Sequence, residues 1–359
     1  MDHVIFLDHR RSSKLSSGRA DLLLKEELFA ISTEFAAIPG DDDPKKGKSK
    51  RSCPEFADAT ADWQSDATIE KKLRDFVKSK PELFVSEPQR DSDRLNMAAK
   101  AAAASCPSAF FFQGCESTTF AEVSGRSETL IFQKREFILP PMSRGILGSL
   151  DVDLTTPKLL EAAEDLYGSE GKYDIIVMDP PWMNKSVKRQ RRYMTESAED
   201  ILSRVPIPNL LHDDGLLVVW YTHNERHYRQ LKDHLAHWNL RILANWTWLK
   251  VTTSGKEICP FGRNFKKPYE HLLLAARPDA TFSAKSIESD QLILVSVPSA
   301  VHSHKPNLDE VLDIIFGANW NKPRRLELFA RALKSNWVCA GNEVIKLQSR
   351  NLFSSEILT

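Results

Sequence analysis

Residues 145–359 read as an α/β unit, a mostly parallel sheet covered by helices on both faces, and residues 1–140 as an accessory region ahead of it. Three observations predict this. Short apolar runs rich in β-branched residues recur from residue 173 onward. Stretches of helical periodicity separate several of them, and strands alternating with helices call for parallel pairing through crossover helices. Ahead of residue 145 that alternation is missing, and a charged stretch interrupts the pattern.

In chain order, residues 22–35 space Leu22–Leu24, Leu28, Phe29 and Phe35 for a short amphipathic helix. Residues 41–52 hold three Asp, a Pro and then Lys45, Lys46, Lys48, Lys50 and Arg51. That composition suits a solvated, flexible linker, a nuclear-import signal or a phosphate-binding strand alike. Apolar positions 69, 73, 76 and 77 predict an amphipathic helix over 69–83. The alanine-rich run 96–105 reads as a helix or a flexible join, and 106–140 as strands or loops. Strands are then predicted at Tyr173–Met178 (YDIIVM), 216–220 (LLVVW), 246–251, 272–276, 292–297 and 326–329, and helices at 197–205, 224–238 and 307–316.

Composition removes several classes. Apolar residues make up 42% and charged ones 27%, with 49 basic against 49 acidic side chains, so the chain as a whole is neither disordered nor coiled coil. The longest apolar runs fall far short of the ~20 residues of a membrane span, and the first residues show no apolar stretch of signal-peptide length, so no membrane partner is expected. Five scattered cysteines without a Cys-x-x-Cys pair predict reduced thiols in a nuclear or cytosolic protein. Zero net charge means that a nucleic-acid partner would be met by a local patch.

The chemistry concentrates where the first strong strand ends, at Asp179-Pro180-Pro181-Trp182. In open α/β sheets ligands sit at the carboxyl ends of strands. The prolines stiffen the turn and cannot donate, so its carbonyls are expected to face outward unpaired. The Asp179 carboxylate and the Pro180 carbonyl would then be two acceptors at one spot, with Trp182 as a flat apolar wall. Such a site suits a planar ring bearing an exocyclic amine, such as adenine. An aromatic amine is a poor nucleophile because its lone pair is delocalised. Two acceptors holding its N–H bonds favour a pyramidal nitrogen with the lone pair aimed at an electrophile, so positioning and electrostatics supply the catalysis. A rigid post-strand loop is the plainer alternative for Asp-Pro-Pro alone.

After the turn, 185–193 (KSVKRQRRY) carries five positive charges and no acid. A charge run is commonly a solvated face; beside a target pocket it favours phosphate binding, with Arg263, Lys266 and Lys267 completing a groove and Tyr193 stacking on a base. His223-Asn-Glu-Arg-His227 places two histidines one helical turn apart but lacks the His-Glu-x-x-His order, so no metal is expected. His302 and His304 are expected to shape the loop before Lys305.

These residues resemble the eukaryotic adenine-N6 methyltransferases of RNA and DNA, most fully the methyltransferase-like-four branch. The resemblance is carried by the catalytic turn after Tyr173–Met178, then by Asn184-Lys185-Ser186-Val187-Lys188-Arg189 and Lys267-Pro268-Tyr269-Glu270. It continues through SAVHSHKP at 299–306, Glu327-Leu328-Phe329-Ala330-Arg331 and Gly341-Asn342-Glu343, in order over about 145–353. The first third matches only by position. The resemblance implies S-adenosylmethionine (SAM) as methyl donor and a permuted Rossmann-like methyltransferase fold. The absence of a G-x-G-x-x-G turn after any early strand agrees with permutation.

The resemblance implies catalysis by Asp179, Pro180, Pro181 and Trp182. It implies a cofactor site from Asp151 with Val152 (adenine), Asp179, Lys305 (carboxylate), Glu327, Arg331, Gly341, Asn342 and Glu343 (amino-acid and ribose groups). Asp153 rivals Asp151. Glu343 departs from other branches, where an amide is common, and Glu327 with Arg331 also has the spacing of an i, i+4 ion pair. The substrate side would be Asn184, Lys185, Lys188, Arg189, Arg191, Arg192 and Tyr193. The implied activity is N6-methylation of adenosine, RNA favoured over DNA, with 2′-O-methyladenosine of a spliceosomal small nuclear RNA as target. DNA adenine methylation and a silent RNA-binding scaffold are the alternatives. A nuclear location, with a cytosolic one also open, and activity as a monomer complete the expectations.

Overall fold

A computed structural model describes residues 4–16, 21–34, 63–85, 92–149, 154–182, 198–261, 267–281, 291–316 and 323–356. The 41–52 linker, Asp151, Val152 and Asp153, the 184–193 segment, Arg263 and Lys266 lie outside the described residues.

Among the described residues a ten-stranded sheet forms the centre, in the order β1 (Val4–Phe6), β12 (Ile293–Ser296), β10 (Arg241–Lys250), β11 (Tyr269–Ala276), β9 (Leu211–Tyr221), β8 (Tyr173–Met178), β13 (Arg325–Leu328), β14 (Trp337–Gly341), β7 (Ser143–Leu147), β4 (Thr119–Glu122). All neighbours pair in parallel except around β11 and at the β4 edge. The expected mostly parallel α/β sheet is therefore present. From β8 the chain runs to β9 on one side, and β13 returns on the other. This reversal is a topological switch point, where open α/β sheets bind ligands.

β8 is buried at five of its six positions, which is why it reads as an unbroken apolar run. Its alternating side chains feed two cores: Ile176 and Met178 one face, Ile175 and Val177 the other. α4 (Thr156–Tyr167) buries Leu159, Ala162, Ala163 and Leu166 against the first and ends on Gly168 at φ 74°, the left-handed position that favours glycine. α7 (Glu225–His237) covers the same face, capped by Asn224, whose side chain accepts from Arg226 N. Trp220, Trp246, Trp248 and Trp337 fill the second face, over which α8 (Asp309–Phe316) packs Val311 and Leu312.

Over residues 22–34 the predicted helix is not formed, and Phe35 lies outside the described residues. Leu22–Leu24 belong to β3 (Asp21–Leu24), paired antiparallel with β15 (Phe353–Glu356) and with β2 (Leu15–Ser16), and a 3-10 turn follows at Glu26–Phe29. Cross-strand pairing with the far end of the chain overrides local spacing. The 69–83 helix is α2 (Asp66–Ser79), capped by Ser65 and stopped ahead of Pro81, and the alanine run is α3 (Ser92–Ala104). Within 106–140 a hairpin, β5 (Glu128–Phe132) with β6 (Arg135–Leu139), packs Leu130, Phe132 and Phe137 against the second core. The stretch expected as an accessory region thus contributes β1 and β4 to the central sheet. The remaining short helices are α1 (His9–Ser12), α5 (Ala198–Arg204) and α6 (Ile207–Leu210).

Candidate active site

Strand direction decides which residues meet. The carboxyl ends of β8, β9, β10, β12, β13, β14 and β7 point to one edge, and β11, running the other way, starts there. That edge collects Asp179 after β8, Glu270 at the start of β11, Lys250 at the end of β10 and Lys305 in the loop after β12. Arg331 follows β13, Gly341 ends β14, and Asn342 and Glu343 follow it.

Asp179 is half-buried and Pro180 buried. Lys305 Nζ lies 3.2 Å from Asp179 Oδ2 and 2.8 Å from Glu270 Oε2, and Lys250 pairs with the other Glu270 oxygen. Burial alone would raise the Glu270 pKa, but Lys250 and Lys305 hold it well below the usual carboxylate range. Burial would lower the Lys305 pKa, but Asp179 and Glu270 raise it above the ordinary lysine value. Two lysines and two carboxylates thus alternate at the switch point, in the order Lys250, Glu270, Lys305, Asp179.

Two expectations for the turn are corrected. The Pro180 carbonyl is not unpaired: Trp182 N–H donates to it at 2.8 Å, because a Pro-Pro turn returns its first available donor onto the nearest carbonyl. Trp182 is not an open wall. It is 6% exposed, donates from Nε1 to Trp220 O at 2.8 Å and stacks on His227 at 5.0 Å between centroids and 24° between planes. A buried indole seeks an acceptor for its N–H, and the end of β9 offers one. His227, in the first turn of α7, pairs its Nδ1 with Thr222 Oγ1 at 2.6 Å. The Asp-Pro-Pro-Trp turn is therefore braced from below.

On the β13–β14 side, Glu327 and Arg331 do not pair with each other. Glu327 meets Lys334 at 2.8 Å, and Arg331 Nε lies 3.2 Å from Glu343 Oε2, whose other oxygen takes Lys346 at 2.7 Å. Leu328 ends β13 and Phe329 turns at φ 61°, which carries Arg331 away from Glu327. Asn342 is exposed. Gly341 permits a close approach: an added Cβ would stand 2.6 Å from Ala330 O and 2.8 Å from Ala330 N. A cavity of about 180 Å³ opens beside Lys305, lined also by Lys14, Asn307 and Lys334 with Asp309 as its carboxylate. Lys305 and Lys334 come to this cavity already paired with Asp179, Glu270 and Glu327, so its rim is an ion-pair cluster with the Asn307 amide beside it.

Sequence reasoning missed the roles of Glu270, Lys250, Trp63 and His227. A carboxylate inside the apolar strand YEHLLLAA was the available signal for Glu270, since a buried charge needs a partner. Lys267 anchors Asp66 at 2.5 Å. Among the described residues no three His, Cys, Asp or Glu side chains gather as a metal site, and no helix is long and apolar enough to cross a membrane.

The family pattern of MT-A70 matches residues 173–343. The chain is 38% identical over 240 residues to the mouse N(6)-adenine-specific methyltransferase METTL4, covering 64% of this chain and 48% of the relative. It is 32% identical to the N6-methyladenosine RNA methyltransferase MTA1 of Pyricularia oryzae, covering 68% of this chain and 61% of the relative. It is 34% identical to a DNA N6-methyl methyltransferase of Caenorhabditis elegans, covering 62% and 57% respectively. The chain spans about half the length of the METTL4 relatives it matches.

Proposed function

Over residues 173–343 the chain belongs to the MT-A70 family, and from that premise we propose that it transfers a methyl group from SAM to N6 of adenine in nucleic acid. RNA is favoured over DNA, with 2′-O-methyladenosine of a spliceosomal small nuclear RNA as the substrate and the nucleus as the place of action. The observation that carries the reading is the position of Asp179, at the carboxyl end of β8 beside the switch point, with Oδ2 turned to Lys305. The relatives named above support the chemistry, and among them are enzymes named for RNA and for DNA.

The residues present fit SAM. Lys305, Lys334 and Asn307 border a cavity where ammonium and amide N–H groups would meet its carboxylate, and Asn342 stands exposed just after β14 for ribose hydroxyls. When bound, SAM supplies an electrophilic methyl carbon. Asp179 does the rest from the protein side: Oδ1 accepts an N6–H and turns the nitrogen lone pair toward that carbon. Lys305, 3.2 Å from Oδ2, holds the Asp179 carboxylate in place, so little reorganisation remains at the moment of transfer. The methylated amine is strongly acidic, and its proton leaves to Asp179 or to water. Trp182 and His227 keep the turn in place. A duplex must release the base before N6 reaches the turn.

Methylation of matched RNA and DNA oligonucleotides, with and without 2′-O-methyl on the target adenosine, tests the reading. Methyl transfer is expected to be fastest on 2′-O-methylated RNA. Faster transfer to DNA would replace RNA as substrate, and SAM binding without transfer to any adenine would leave the scaffold reading.

A further inference from the structure

Trp63 lies far outside the matched stretch 173–343, yet it reaches the catalytic edge of the sheet. Its Nε1 donates to Tyr221 Oη at 2.8 Å, and Tyr221 Oη in turn bonds Asn245 Oδ1 at 2.8 Å. Its ring lies parallel to His271, 5° between planes and 5.1 Å between centroids, and 4.1 Å from the ring of His223. Tyr228 meets it edge-on. Three residues on, Asp66 accepts from Lys267 and from the Tyr269 hydroxyl, both at 2.5 Å.

Asp66 already fastens α2 to the sheet, so attachment alone does not call for an indole here. Trp63 also stays half-buried. The pile around it carries no charge at neutral pH. Burial pushes the His223 pKa down to about 4 and the His271 pKa down to about 3, and burial raises Tyr221 and Tyr269 further into their neutral forms. An uncharged aromatic pile offers a π-face, which every nucleobase can stack on, rather than a phosphate site. Tyr221 is the last residue of β9, the strand next to β8, and His271 is near the start of β11, one strand further. Tyr221 is thus one strand spacing from β8, and His271, on which the Trp63 ring lies, is two, about 10 Å from the strand bearing Asp179. A ring on Trp63 is therefore not the ring whose amine meets Asp179.

We propose that Trp63 stacks on the nucleobase next to the target adenine and thereby sets the single strand with its target at Asp179. This rests on the adenine-methylation reading. It makes Trp63 a substrate-binding residue supplied from the first third of the chain.

The test is steady-state methylation by the full chain of a short RNA, intact or with an abasic residue on either side of the target adenosine. Trp63→Ala is expected to raise the KM for intact RNA about tenfold, the scale of one lost base–aromatic stack. SAM affinity is expected to hold. In wild type one abasic neighbour should raise KM similarly, and in Trp63→Ala that same abasic residue should add nothing. Unchanged KM in a folded Trp63→Ala, or losses that multiply, would overturn the proposal. Where Trp63→Ala does not fold, tryptophan fluorescence decides. RNA should quench wild type more than Trp63→Phe, and equal quenching overturns the proposal. Wild type that methylates no adenine oligonucleotide is a failure of the functional reading instead, and is seen before any variant is compared.

Discussion

The ammonium of Lys305 stands 3.2 Å from Oδ2 of Asp179, so the carboxylate at the end of β8 is an ion-pair partner as well as a hydrogen-bond acceptor. Lys305 is shared with Glu270, and Glu270 with Lys250. Asp179 can therefore be removed without stranding a buried lysine.

From this, Asp179→Ala is expected to lower methyl transfer by at least about 10²-fold, the scale for losing one preorganised polar group. Thermal stability should change little, because Lys305 keeps Glu270. Initial rates on the best oligonucleotide, read beside a melting curve, check both parts. A near wild-type rate would remove Asp179 from the chemistry.

Glu270 behaves in the opposite way. Glu270→Gln leaves Lys250 without its carboxylate partner and Lys305 with only Asp179. Breaking a buried pair from one side costs roughly 3 kcal/mol, so this variant should melt well below wild type. The pH signs follow from the shifts. The Glu270 pKa is depressed, so its contribution is present above the unfolded value near ~4.3 and is lost as pH falls through the folded value. The Lys305 pKa is raised, so its contribution is present below ~10.4 and is lost as pH rises through the folded value. Wild type and Glu270→Gln should therefore differ by a constant stability between about pH 5 and 10. Chemical denaturation across that range measures it.

Much of this centre was legible in the sequence. β8 declared itself because a strand buried on both faces must be apolar throughout, and the Asp-Pro-Pro turn follows it directly. The family resemblance also grouped Lys305, Arg331 and Asn342, and the fold brings them to the same edge because parallel strands deliver their carboxyl ends together. What stayed hidden depends on partners distant in sequence. β3 reads as a helix until β15 is known to lie beside it, and β14 (WVCAG) is too short and plain to separate from a loop. Trp63 carries no motif; only the fold sets it 158 residues away, against Tyr221. The Pro180 carbonyl was misread because proline's missing donor was counted while the next residue's N–H was not.

Acid should destabilise the fold through histidines held neutral by burial. Burial lowers His9, His271 and His304, the last two to about 3. Below the unfolded value of ~6.5 the unfolded chain takes up protons that the folded chain does not. Stability then falls with pH by up to about 1.4 kcal/mol per unit for each such histidine. Melting temperature should be flat above about pH 7 and fall steeply below 6. His304→Gln should flatten that fall, and an unchanged slope would show that His304 takes up its proton in the folded state.

The brace under the turn is tested at His227. His227→Ala removes the ring stacked on Trp182 and the bond to Thr222. A turn displaced by even a fraction of an ångström loses alignment, so kcat should fall by about tenfold or more while SAM affinity holds. His227→Phe keeps a ring against Trp182 and should recover most of the rate. Equal losses in both variants would assign the effect to the Thr222 bond, which Thr222→Val then reproduces.

The basic run after the turn lies outside the described residues, so its test reads charge alone. Lys188, Arg189, Arg191 and Arg192 sit within a stretch that holds no acid. If they grip the substrate backbone, alanine at all four should weaken RNA binding across unrelated sequences rather than for one target. Each lost phosphate contact should flatten the slope of log K against log salt by about 0.7 for a single strand. SAM affinity should hold, since Lys305 and Asn342 belong to other loops. Fluorescence anisotropy at several salt concentrations measures all of this. Unchanged affinity with an unchanged slope would make the run a solvated face and turn attention to Arg263, Lys266 and the lysines at 45–50.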